Sequence, residues 1–141
     1  MIKETNPPED SFPTSESFVD CCGKHREFAL ELLETGSGYF VRATERVSGN
    51  GGYAFAAHSE TDPYLALGRL RDKIHKGLAT RYLTKDEHYL RLGHDVAVGH
   101  ISYEGIVVDG RYLSFDDFAA IMSSYEGWQF KLEIVDPYGA I

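Results

Sequence analysis

The stretch Asp62–Leu83, DPYLALGRLRDKIHKGLATRYL, decides how the rest of the chain is read. An aspartate before a helix can accept the unpaired N–H groups of its first turn. A proline at the first helical position lacks the N–H that this turn leaves free. Leu67, Leu70, Ile74, Leu78 and Tyr82 then recur at spacings of three and four. That is one face of a helix running from Tyr64 to about Leu83. Gly77 in its middle costs about 1 kcal/mol relative to alanine. It marks either a close approach to a sheet or a loosened last turn. Arg69, Lys73 and Lys76 lie opposite the apolar stripe.

Upstream of the helix stand three β-prone runs, FALELLE (28–34), YFVRATERV (39–47) and YAFAAH (53–58). The connections TGSG and SGNGG are turns, so the runs make an antiparallel meander. FALELLE has helical propensity, but it is brief and runs straight into a turn. Residues 1–16 hold three of the five prolines and no apolar pattern, and are expected to be a flexible arm. Residues 17–137 are expected to form one domain.

Downstream, TKDEHYLRLGHD (84–95) is a polar connector. VAVGHISYE, GIVV and RYL read as strands, with Asp109-Gly110 as the last turn. Ser114 and Asp117 form a capping-box arrangement that opens a second helix. Phe115, Phe118, Ala119 and Met122 supply its stripe, and Gly127 is placed to end it in a left-handed conformation. The closing run WQFKLEIV (128–135) alternates Trp128, Phe130, Leu132 and Ile134 with Gln129, Lys131 and Glu133. A last strand that buries its aromatic face is expected. The order β-β-β-α-β-β-β-α-β, with local pairing and two amphipathic helices, is an α+β fold with antiparallel sheets.

The chain has 141 residues, 43% of them hydrophobic and 13% aromatic, enough for a core. No apolar run approaches the roughly 20 residues of a membrane span, and the N-terminus has no apolar signal region. A soluble cytoplasmic protein is expected. The net charge of −8 argues against a general binder of nucleic acid or anionic membrane. Residues 69–91 depart from that balance, with seven basic and three acidic residues. Their helical part, Arg69, Lys73 and Lys76, is a candidate surface for an anionic partner. No aromatic residue interleaves with it, as single-stranded nucleic acid would need.

Cys21 and Cys22 are adjacent and cannot staple the fold. With His25 they make three ligand types without C-x-x-C spacing, so neither metal nor cofactor is expected. His94, His100 and Glu104 are the candidate catalytic set. On one strand over 96–104, His100, Ser102 and Glu104 would share a face, and a histidine beside a carboxylate can act as a general base. Asp116 and Asp117 sit in the first turn of a helix, where the macrodipole favours acids. No P-loop, G-x-S-x-G, H-E-x-x-H or dinucleotide-binding motif occurs.

TDPYLALGRLRDKIHKGLATRYL (61–83) and DGRYLSFDDFAAIMSSYEGWQFKLEI (109–134) together resemble an uncharacterised bacterial family of small domains of unknown function. Its members pair a basic amphipathic helix with a C-terminal helix and an E-G-aromatic-Q-F-K-L strand. The resemblance spans roughly residues 53–135 and implies no activity or catalytic residues. In outline, the β-β-β-α half is also similar to HicB-type antitoxin domains, which implies a regulatory partner, RNA or an acidic protein face. Small acidic domains of this kind suit the cargo of mobile gene cassettes. With nine Tyr, eight Phe and one Trp, the chain holds more aromatics than a small core hides. The expectation is a binding or interaction module, self-associating as a dimer and without catalysis. Its binding residues are Arg69, Lys73, Lys76 and Trp128. A small hydrolase built on His94, His100 and Glu104 is the alternative.

Overall fold

Local capping sets the two helices. A computed structural model describes residues 12–85 and 89–139. Helix α1 spans Pro63–Ala79, and the Asp62 carboxylate accepts the Tyr64 N–H at 2.8 Å. Ala66, Leu67, Leu70, Ile74 and Leu78 are its buried face. The helix ends earlier than its periodicity predicts. Thr80 is already extended, and Tyr82 packs into a different cluster. A Cβ on Gly77 would lie 2.5 Å from the Phe55 ring, so the glycine marks the close approach of helix and sheet. Gly77→Ala should therefore destabilise the protein by about 1 kcal/mol net, despite alanine's better propensity. Urea denaturation reads this directly, and a stabilised variant would contradict it.

Four strands form one antiparallel sheet in sequence order: β1 (Ser15–Val19), β2 (His25–Thr35), β3 (Gly38–Glu45) and β4 (Ala54–Ser59). FALELLE is entirely strand. Phe28 and Leu30 point inward, and the pairing of Leu30 with Ala43 overrides helical propensity. The inner face, with Phe18, Phe28, Leu30, Val41, Ala43 and Ala57, packs on the buried face of α1. Strand β1 was not expected. It begins inside the predicted arm, and Phe18 is its only buried apolar residue, too weak a pattern to read. Residues 1–11 of that arm lie outside the described residues.

The second half builds a smaller core. β5 (Leu83–Lys85) pairs with β6 (Leu90–Leu92), Leu83 facing Leu92. The predicted polar connector thus contributes strands, because its leucines are needed inside; residues 86–88 of it lie outside the described residues. β7 (Gly99–Ser102), β8 (Gly105–Val108) and β9 (Arg111–Ser114) form a three-stranded antiparallel sheet. Asp109 (φ 55°) and Gly110 (φ 74°) make the expected left-handed two-residue turn.

Helix α2 spans Phe115–Ser123 with a complete capping box between Ser114 and Asp117. It buries Ile121, with Met122 packed alongside, whereas Phe115 of the predicted stripe stays 53% exposed. The chain leaves α2 through further turns, and Gly127 (φ 91°) lies in the last of them, four residues past the helix.

The predicted final strand does not form. Residues 128–135 are irregular, and Trp128, Phe130, Leu132 and Ile134 are 65%, 88%, 75% and 69% exposed. Alternation gives a segment the capacity to be a strand, but pairing also needs an edge within reach. Here the following residues are held against the first half, by Lys73 and Phe40. The order is β-β-β-β-α-β-β-β-β-β-α, and the class is α+β.

Candidate functional site

The exposed segment is anchored at both ends, with Lys73 at one and Trp128 at the other. Lys73, half-buried on α1, donates to the carbonyls of Ala56 (2.6 Å), Pro137 (3.3 Å) and Gly139. Burial lowers its pKa, against the opposing pull of Asp136. Arg69 donates to the His58 carbonyl at 2.9 Å. The His58 ring lies 4.5 Å from Phe40, which meets Tyr138 edge-on at 5.0 Å. At the other end, the Trp128 N–H donates to the Tyr125 carbonyl, and the two rings meet edge-on at 5.3 Å. The Tyr125 hydroxyl reaches the Asp95 carboxylate at 3.0 Å and the Leu92 carbonyl at 3.3 Å. Trp128 itself stays largely exposed, and beyond it Phe130, Leu132 and Ile134 face solvent. Lys76 is exposed in the last turn of α1.

The other candidates are placed as follows. His94 is exposed in the loop after β6. His100 is half-buried on β7, and burial lowers its pKa. The strand expected over 96–104 ends at Ser102, and Glu104 occupies the next turn at φ 51°. Glu104 therefore does not alternate with His100 along a strand. Cys21 and Cys22 are free and exposed with their sulfurs 3.8 Å apart, and Arg81 lies 3.3 Å from the Cys22 sulfur. Arg81, Lys85 and Arg111 line an open depression of about 330 Å³ with Leu83, Thr84 and Leu90. Among the described residues, no three His, Cys, Asp or Glu side chains are grouped to hold a metal ion.

Residues 10–79 match the family described as a domain of unknown function (DUF7686). Residues 81–138 match a second, also described as a domain of unknown function (DUF7713). Together the two matches account for most of the chain. No curated protein and no solved structure matches it. The boundary between the two matches falls after α1 and separates the two apolar cores. No helix among the described residues is long and apolar enough to cross a membrane.

A polar cluster at this boundary was missed by sequence reasoning. Arg26 donates from Nε to Asp20 at 2.8 Å and from Nη1 to Glu45 at 2.9 Å. The side chains of Asp20 and Glu45 are 2% and 3% exposed. Burial alone would raise Asp20, but Arg26 and the N–H groups of Cys22 and Lys24 outweigh it and hold the carboxyl at about 2. The Arg26 guanidinium also sits 5.0 Å over the Tyr53 ring. Burial first, then Asp109, pushes the Tyr53 phenol up to about 12. The Asp109-Gly110 turn of the second half docks here. Gly110 O accepts the Gly52 N–H at 2.7 Å, and Asp109 accepts the N–H groups of Tyr82 (3.0 Å) and Leu83 (2.7 Å). One signal was present: Arg26 keeps step with Phe28 and Leu30, and Glu45 with Val41 and Ala43, so both charges fall on the inward face.

Proposed function

We propose that this protein is a non-catalytic binding module that associates with a second copy of itself through the exposed segment 128–135. The observation that carries this reading is the row Trp128, Phe130, Leu132 and Ile134, which no part of the chain covers among the described residues. Contiguous exposed apolar side chains of this size mark interaction surfaces in soluble proteins. The basic face of α1 supports the same reading: Lys73 donates to three carbonyls of its own chain and Arg69 to one, which leaves less for a polyanion.

Eight residues a side is well below the roughly 20–30 of a standard interface. Association is therefore expected in the micromolar range or weaker. Sedimentation velocity across that range should show a concentration-dependent dimer. The double substitution Phe130→Ser, Leu132→Ser should abolish it while leaving the melting temperature unchanged, because both side chains are exposed in the monomer. A wild-type chain that stays monomeric throughout sinks the reading.

A further inference from the structure

The anchored segment is self-complementary in one register. Resting on the self-association above, we propose that two copies pair through residues 128–136 as antiparallel strands related by a two-fold axis at Leu132. The backbone is available for this. No N–H or carbonyl of residues 129–135 is hydrogen-bonded to another described residue. Such unpaired groups are a template for pairing with another chain. Both ends are already held, by Tyr125 on one side and by Lys73 and Phe40 on the other, which lowers the ordering cost of association.

The sequence selects the partner and the register. Pairing symmetric about 132 sets Lys131 opposite Glu133 of the second copy, and Glu133 opposite its Lys131. On the other face Phe130 meets Ile134, and Leu132 meets its own copy, with Trp128 and Asp136 at the ends. Moving the axis to 131 or 133 sets Lys131 or Glu133 against itself, and like charges directly opposite destabilise a strand pair. Moving it to a point between two residues sets apolar against polar side chains across the ribbon. An axis at Phe130 also keeps like charges apart, but it leaves Lys131 facing Gln129, whereas the axis at Leu132 gives Lys131 and Glu133 opposite charges across the pair, with Gln129 facing Val135 at its end. The contact is isologous, as the commonest homodimers are.

Charge reversal tests the register. Lys131→Glu alone and Glu133→Lys alone each set like charges opposite one another at both symmetric positions, so each dimer should weaken about tenfold. An equimolar mixture of the two variants restores opposite charges at every facing position. It should form a mixed dimer within about twofold of wild-type affinity, read by sedimentation with one variant fluorescently labelled. Crosslinking fixes the axis. With Cys21→Ser and Cys22→Ser, Leu132→Cys should oxidise to a disulfide dimer, because facing positions bring two Cβ atoms within disulfide reach. Phe130→Cys should crosslink only when mixed with Ile134→Cys. A wild-type dimer whose variants are not rescued by mixing, or that crosslinks through position 130 alone, overturns this pairing and leaves self-association standing. A monomeric wild type removes both.

Discussion

Replacing Arg26 with alanine should lower the stability of the protein by about 3–5 kcal/mol, because it strands two buried carboxylates at once. Asp20 and Glu45 are nearly sealed from solvent, and Arg26 is the cation that faces both. The loss should appear in urea as a lower midpoint with an unchanged slope, since the same surface is exposed on unfolding. It should also depend on pH. Asp20 is lowered from 3.8 to about 2 in the folded chain. Its contribution is therefore fully present above the unfolded value and is lost as the pH falls through about 2. In the variant the folded pKa moves back toward the unfolded value, so the decline of stability between pH 4 and 2 should become shallower. An equally steep acid limb in both proteins would show that Arg26 does not hold Asp20.

Asp109→Ala should cost about 2–3 kcal/mol and loosen the turn whose Gly110 carbonyl accepts the Gly52 N–H across the two halves. The carboxylate accepts two backbone N–H groups from the segment that follows α1, and hydrogen bonds to a charged group are the stronger kind. Alanine would also have to adopt φ near 55°, which aspartate and asparagine tolerate better. Asp109→Asn keeps an acceptor and the turn, and should fall between wild type and alanine. Trp128 fluorescence follows the second half, and far-UV circular dichroism follows both. The two probes should unfold together in wild type and separate in Asp109→Ala. Coincident transitions in the variant would mean that the turn held by Asp109 does not couple the two cores.

The turn meets the first half at Gly110. Gly110 must approach Tyr53 so closely that a Cβ there would lie 2.9 Å from its ring. The turn is therefore set by its own left-handed residues and docked by a glycine that leaves room for an aromatic ring. Neither half's hydrophobic pattern announces that contact, because turn and ring lie 57 residues apart in the chain.

The amino-acid sequence by itself determined what depends on neighbours along the chain. Asp62 and Pro63 start α1, Ser114 and Asp117 start α2, and Asp109-Gly110 turns a hairpin, because capping and turn preferences act within four residues. The inward leucines of α1 were legible for the same reason. Tertiary structure decided what depends on a partner strand or a distant side chain. Strand β1 exists because β2 offers an edge to it, and Phe18 alone could not predict that. Lys73 and Trp128 were legible as residues of note, but that Lys73 would clasp the carbonyls of Pro137 and Gly139 was not. The run WQFKLEIV has the alternation of a strand and stands exposed. Alternation is a property of the segment, whereas pairing is a property of two segments, and among the described residues no strand edge pairs with it.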